Sequence, residues 1–171
     1  AFLVEWDEDG ITQRVLFDCS EGVRIGLEAA GVNYTDIRHV AISHTHPDHY
    51  GGARAVLDAV KVRELWDGGQ GEAEAPRGEA AQLLAGARGR GIRVRGPAEL
   101  CAGPHAFGKA RIEVLWPCPT FDTLLEPNDN SLVLRVTFGA RTFLLAGDIE
   151  REPERILVKT ERARLRADVL K

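Results

Sequence analysis

His44-Thr45-His46-Pro47-Asp48-His49 places four metal-ligating side chains within six residues. The stretch follows directly on Val40-Ala41-Ile42-Ser43, a run that reads as a buried strand. His44 and His46 repeat with the period of two that puts side chains on one side of an extended segment, which suits a pair of ligands on one ion. Asp48 and His49 come as the chain turns into a helix, so they can face a second ion. Imidazole and carboxylate suit Zn²⁺, Mn²⁺ or Fe without any thiolate. The bland alternative is a polar loop rich in histidine by accident. Only five histidines occur in the chain and three of them lie here, which weighs against accident.

A hydrolytic centre of this type needs a water acidified by one cation and a substrate polarised by another, so a carboxylate from elsewhere should bridge two ions. Asp148 is the best candidate. It follows the apolar strand Thr142-Phe143-Leu144-Leu145-Ala146 and Gly147, a residue that permits a sharp turn. An Asp in that position could equally cap the helix that follows.

The remaining pattern alternates strands and helices. Strands are expected over residues 2–6 and 14–18, joined by an Asp9-Gly10 turn. A short helix is expected over 22–30, closed by Gly31. The strand Ile37–Ser43 delivers the histidine loop, and a helix from Tyr50 to Val60 follows, with Gly51-Gly52 allowing close packing. Val62–Trp66 reads as a strand and Asp67–Ala75 as a surface loop. A helix is expected from Pro76 to Arg88 and a strand over Ile92–Arg95. Beyond these come a strand at Arg111–Trp116, a proline-rich loop, and a hairpin of Ser131–Phe138 with Arg141–Ala146. A charged helix follows from about Glu150 to Leu165. Mixed sheets with helices outside fit this order.

At 171 residues the chain is expected to form a single domain, 1–171. Its apolar and charged content fits a soluble globular protein with a sizeable core. No run is long enough to span a bilayer and no secretory signal is visible, which favours a cytoplasmic domain; membrane-bound partner domains would lie outside this chain. The formal charge of −4 argues against holding nucleic acid by bulk electrostatics, but bound dications would add a local positive field. Arginines cluster at 88, 90, 93 and 95 and again at 162, 164 and 166. A phosphate track and a solvated face balanced by Glu are the two readings, the second favoured. Cys19, Cys101 and Cys118 are odd in number and form no Cys-x-x-Cys pair, so free buried thiols in a reducing compartment are expected. The chain has no Met, opens within a strand pattern and closes on Ala167–Lys171, which reads as the start of another strand; both ends read as cuts in something longer.

His44-x-His46-x-Asp48-His49 after a strand, with Leu144-Leu145-Ala146-Gly147-Asp148 about a hundred residues later, resembles the metallo-β-lactamase superfamily. The resemblance implies an α/β (α+β) fold, a four-layer αββα sandwich with mixed sheets, incomplete here at both ends. It implies metals at one edge of the two sheets, with Asp48 on the second metal and Asp148 bridging. Residues 14–60, with Leu16-Phe17-Asp18-Cys19-Ser20-Glu21-Gly22, are similar to RNase Z-type phosphodiesterases. Residues 62–170 resemble the hydrolase domain of ComEC-type DNA-uptake proteins, through Glu64-Leu65-Trp66-Asp67-Gly68-Gly69, Ile112–Pro117, Asn128–Leu134 and Phe143–Glu150.

Two departures from the superfamily pattern bear on the centre. The loop Pro117–Ser131 has no His to complete the first metal; it offers Asp122, Asp129 and the amides of Asn128 and Asn130. The last His of the pattern would fall beyond Lys171. His39 and His105 read as structural. The expectation is a binuclear hydrolase with two divalent ions, Zn or Mn, partially occupied in this chain. His44, His46, Asp48, His49 and Asp148 hold the ions and Asp48 also orients the nucleophile. The substrate expected is a phosphodiester, DNA in a competence-like context. The competing readings are a lactone, ester or β-lactam hydrolase on the same scaffold, and a catalytically incomplete structural module.

Overall fold

A computed structural model describes all residues, 1–171. Strands β1 (Phe2–Glu8) and β2 (Ile11–Phe17) form an antiparallel hairpin. Its turn residues Asp9 and Gly10 both take positive φ (51° and 80°), the conformation a two-residue hairpin needs. Helix α1 (Val23–Ala29) ends before Gly31, at φ 68°. Strand β3 (His39–Ile42) follows, then two short helices, α2 (Pro47–Tyr50) and α3 (Ala53–Ala59). Strand β4 (Glu64–Asp67), helices α4 (Gln70–Glu74) and α5 (Glu79–Gly89), and strand β5 (Arg93–Arg95) complete the first half.

The second half runs α6 (Pro97–Leu100), β6 (His105–Phe107), β7 (Ala110–Trp116), β8 (Val133–Phe138), β9 (Arg141–Leu145), α7 (Arg151–Thr160) and β10 (Val169–Leu170). Two five-stranded sheets result, ordered β1-β2-β3-β4-β5 and β10-β9-β8-β7-β6. The first is parallel from β2 to β5; the second is antiparallel except where β10 joins β9.

Alternation along the strands sorts the core into three layers. Val15, Phe17, Ala41 and Trp66 of the first sheet meet Ile112, Val114, Leu134, Val136 and Leu145 of the second. Leu16, Val40, Ile42 and Leu65 point the other way, against Leu27 of α1, Val56 and Leu57 of α3 and Leu83, Leu84 and Ala87 of α5. Strands β2 to β4 are buried on both faces, and so read as continuous apolar runs. On the far side Leu115, Val133 and Leu144 pack on Leu157 of α7. The register shift between Val114 and Trp116 turns Leu115 to that outer face. This is the expected αββα sandwich with mixed sheets.

Several local expectations are corrected. The helix placed over Tyr50–Val60 starts earlier and is split, because Gly51 and Gly52 pass against neighbouring backbone. Gly52 donates to Cys19 O at 2.7 Å, and a Cβ there would collide with Ser20 O. Asp67–Ala75 is not all loop: Gly69, at φ 84°, reverses the chain into α4. Helix α6 and strand β6 lie in a Gly- and Pro-rich stretch that carried no periodic signal. The charged helix stops at Thr160 rather than Leu165.

The cysteines are also corrected. Cys101 and Cys118 form a disulfide across 17 residues, and only Cys19 is a free buried thiol. The bridge ties the end of α6 to the start of the loop that leads into β8. Replacing both cysteines by Ser is expected to cost about 2–4 kcal/mol in urea unfolding. Dithiothreitol should lower the wild-type midpoint and leave the double variant unchanged; a wild-type midpoint indifferent to reductant would count against the bridge.

Candidate metal centre

The histidine loop leaves β3 at the edge where the two sheets meet, and both sheets fix it through backbone bonds. Leu132 N donates to Ser43 O at 2.8 Å from the second sheet's side, and Cys19 N donates to His49 O at 2.6 Å from the first. Pro47 opens α2 at a position that needs no N–H, with His46 as its extended cap residue. One helical turn then brings His49 back beside His44, with ring centroids 4.1 Å apart.

Asp148 arrives from the other sheet, after β9. Gly147 makes that approach at φ 60°, and a Cβ there would lie 2.5 Å from Ser131 Cβ and 3.1 Å from Ser43 Cβ. The position therefore excludes side chains by torsion and by space. Asp148 Oδ2 lies 3.0 Å from His49 Nε2. One ligand atom each from His44, His49 and Asp148 falls within 4.8 Å of the others. His46 and Asp48 flank this group. The His46 ring centroid is 4.8 Å from that of His44, and Asp48 Oδ2 is 3.5 Å from His49 Nε2, with its side chain 78 % exposed. The three-donor group draws one histidine from each of the two pairs expected from the loop's spacing, His44 with His46 and His49 with Asp48.

The ring orientations are set by buried neighbours. His44 Nδ1 lies 3.0 Å from Ser43 Oγ and 3.1 Å from Ser131 Oγ. Ser131 Oγ also accepts from Asp148 N at 3.2 Å. His44 Nε2, by contrast, is buried with no hydrogen-bond partner. A buried imidazole nitrogen without a partner is costly, and one that faces a second imidazole and a carboxylate fits a cation ligand. His49 Nδ1–H donates to Asp18 Oδ2 at 2.9 Å, which turns Nε2 towards Asp48 and Asp148. Asp18 Oδ1 in turn accepts from Ser43 N at 2.8 Å. Two imidazoles and a carboxylate with oriented rings suit a first-row divalent cation.

Electrostatics follow from this arrangement. Burial, then the nearby His49 and His46, hold His44 down to about 4, so it stays neutral and able to ligate. His49 is raised, chiefly by its hydrogen bond to Asp18. Burial pushes Asp18 up, but its bonds from His49 and Ser43 outweigh that and hold it below the usual carboxylate range.

Asp18 and Ser131 orient the candidate ligands, and motif reading passed over both. Asp18 stands in the quoted Leu16–Gly22 stretch, at the end of an apolar strand and at φ 64°, a backbone signal invisible in sequence. Of the candidates in the loop before β8, Asn130 and Asp122 brace the loop itself and Asp129 ties it to the segment after β9. Asn130 Nδ2 donates to Asp122 O at 2.8 Å, its Oδ1 accepts from Asp122 N at 2.8 Å, and Asp129 Oδ1 accepts from Glu150 N at 2.8 Å. His105 is bonded structurally, with Nε2–H donating to Leu100 O at 2.9 Å and Nδ1 accepting from Arg95 at 3.1 Å. His39, at the start of β3, packs edge-on against Phe107. The Arg88–Arg95 cluster is paired with Glu72, Asp58, Glu99 and Glu64.

The chain belongs to the metallo-β-lactamase superfamily, whose profile matches residues 1–169. Ribonuclease Z of Pyrococcus furiosus is 42 % identical over 53 residues, a stretch that covers 31 % of this chain and 16 % of that protein. The metallo-β-lactamase fold protein YhfI of Bacillus subtilis superposes over 97 % of this chain and 60 % of its own, with TM-score 0.59 and 17 % identity. The short form of human tRNase Z superposes over 99 % of this chain and 69 % of its own, with TM-score 0.53 and 16 % identity. At these identities the structural likenesses speak for the fold alone.

Asp18→Asn is expected to fold, to return the His49 pKa towards its ordinary value and to weaken divalent-metal affinity about 10–100-fold, as read by competition with a chromogenic chelator. Unchanged affinity would remove Asp18 from the centre. Burial of a neutral His44 should also give the chelated protein an acid-destabilising contribution, opposed by Asp67, whose carboxyl is pushed up to about 6 by burial. His44 titrates at 6.5 when unfolded and about 4 when folded, so acidification through that window protonates the unfolded state first. His49, raised in the fold, has its full stabilising effect below 6.5 and adds no slope there. A loss on the order of 2–3 kcal/mol between pH 6.5 and 4 is expected from His44, read as the difference in pH slope between wild type and His44→Gln, in which the contribution of Asp67 cancels. Equal pH slopes of the urea midpoint in wild type and His44→Gln across that range would contradict the burial of a neutral His44.

Proposed function

We propose that this chain is a metal-dependent phosphodiesterase acting on nucleic acid. One observation carries the reading: His44 Nε2, His49 Nε2 and Asp148 converge at the sheet edge with no other buried partner for His44 Nε2. The substrate class is supported by the likeness to proteins named Ribonuclease Z. DNA in a competence-like context is the substrate suggested by the ComEC-type motifs in residues 62–170.

His44, His49 and Asp148 would hold the cation, with His46 and Asp48 alongside. A divalent ion there supplies Lewis-acid charge for the phosphate oxygens and an attacking water acidified towards neutral pH. The chain's own groups do the positioning. Ser131 ties the ring of His44 to the backbone of Asp148, so the two sheets hold one geometry. Asp18 locks the His49 tautomer so that Nε2 is offered to the centre. Asp48 is exposed enough to meet substrate and close enough to the centre to orient the attacking water and accept its proton.

The test is turnover of a phosphodiester reporter, a lactone and a β-lactam by the chain supplied with Mn²⁺ or Zn²⁺, followed by single-stranded DNA, duplex DNA and RNA. Phosphodiester cleavage should dominate, vanish with chelator, and fall at least about a hundredfold in Asp148→Ala and His49→Ala. Faster lactone or β-lactam cleavage would overturn the phosphodiester reading. No turnover by metal-loaded protein would leave the structural-module reading in its place.

A further inference from the structure

Two groups of arginines stand on the surface, and the fold treats them differently. Arg88, Arg90, Arg93 and Arg95 each meet a carboxylate: Glu72, Asp58, Glu99 and Glu64 in turn. On the outer face of the second sheet that balance is lost. Glu113 of β7 is buried, and three guanidiniums share its single charge. Arg135 Nη1 lies 3.0 Å from it, Arg164 Nη2 3.1 Å and Arg111 Nη2 3.5 Å. Burial raises the Glu113 carboxyl, but the bond from Arg135 and the charges of Arg164 and Arg111 outweigh it and keep it ionised. Arg164 also pairs with Glu161 at 2.8 Å. Arg162 and Arg166, on either side of Arg164 in the segment between α7 and β10, are exposed and enter no ion pair. Five arginines therefore face two glutamates, a surplus of three positive charges on a chain whose formal charge is −4.

We propose that this face, with Arg111, Arg162, Arg164 and Arg166 at its surface, docks the phosphate backbone of a nucleic-acid strand outside the metal centre. A guanidinium that shares its carboxylate keeps N–H donors free, in a planar fork that matches phosphate oxygens. The side chains of Arg111 and Arg164 are 58 % and 42 % exposed, so those donors are open to a ligand. Glu113 holds the forks in place beforehand, which spares part of the ordering cost of binding. The surplus charge is local, and the net negative charge of the rest of the chain directs a polyanion to this face. Arg135 lies four residues along β8 from Ser131, about 13 Å. A strand of roughly a dozen nucleotides that enters the metal centre spans that distance, whereas a small diester does not. The inference takes its ligand class from the reading of the chain as a nucleic-acid phosphodiesterase.

The experiment is anisotropy binding of a labelled DNA single strand of roughly 20 nucleotides to the chain in chelator, as salt rises from about 50 to 200 mM. The variant Arg111→Gln/Arg162→Gln/Arg166→Gln should lower the slope of log affinity against log salt by about 2, at about 0.7 per lost phosphate contact. Its affinity at the lower salt should fall at least about tenfold. Arg162→Gln/Arg166→Gln breaks no ion pair and should show about two thirds of the slope change. Arg24→Gln/Arg63→Gln/Arg90→Gln makes the same change in net charge on elements of the first half and should bind as wild type does. Metal-loaded protein should cleave a single-diester reporter equally well in every variant, and thermal unfolding reports that each is folded. An unchanged slope in both patch variants, an equal loss in the control, or no strand binding by wild type would overturn the proposal. Polyglutamate that displaces the labelled strand as well as unlabelled strand does would assign the face to an acidic protein and overturn it too. A reporter left uncleaved while the strand still binds through these arginines would sink the catalytic reading and leave the docking surface standing.

Discussion

Everything at the sheet edge depends on one buried hydrogen-bond network: Asp18 to His49, Ser43 to both histidines, and Ser131 to His44 and the backbone of Asp148. Imidazole rings are free to rotate unless one nitrogen is committed, and here Nδ1 of each ring is committed to protein. That leaves Nε2 of each ring for the same small space, and it leaves His44 Nε2 with no protein partner. An unpaired buried nitrogen costs stability, and a cation held between His44, His49 and Asp148 would satisfy it.

The sandwich exists, from this viewpoint, to hold the network's members at a fixed separation. Asp18 and the histidine loop come from adjacent parallel strands of the first sheet; Ser131 and Asp148 come from adjacent strands of the second. The inter-sheet core of Phe17, Ala41, Trp66, Ile112 and Leu134 sets the distance between the two pairs. Gly147 and Gly52 are the two positions where backbone must pass close enough for the pairs to meet.

The fold and the candidate ligands were legible in the sequence to the extent that they are local. Four ligating side chains in six residues after an apolar strand need no tertiary knowledge, and strands buried on both faces announce themselves as apolar runs. Asp148 could be read only as a carboxylate after a strand, ligand or cap, until the histidine loop gave it a partner. What stayed hidden depends on contacts between distant segments. Asp18 matters because it reaches His49, and Ser131 because it touches both His44 and Asp148. The Cys101–Cys118 bridge joins two segments that only the fold brings together, and an odd cysteine count pointed away from it. The short elements α4, α6 and β6 escaped because glycine and proline interrupt any period that could be recognised.

The most direct test of the central claim is the position of a bound ion, found by anomalous diffraction from crystals of the chain grown with Mn²⁺ or Zn²⁺. The expected result is a peak within coordination distance of His44 Nε2, His49 Nε2 and Asp148 Oδ2, with Asp18 still bonded to His49 Nδ1. A peak held by other side chains, or an Asp148 turned away from both histidines in the metal-soaked protein, would contradict it.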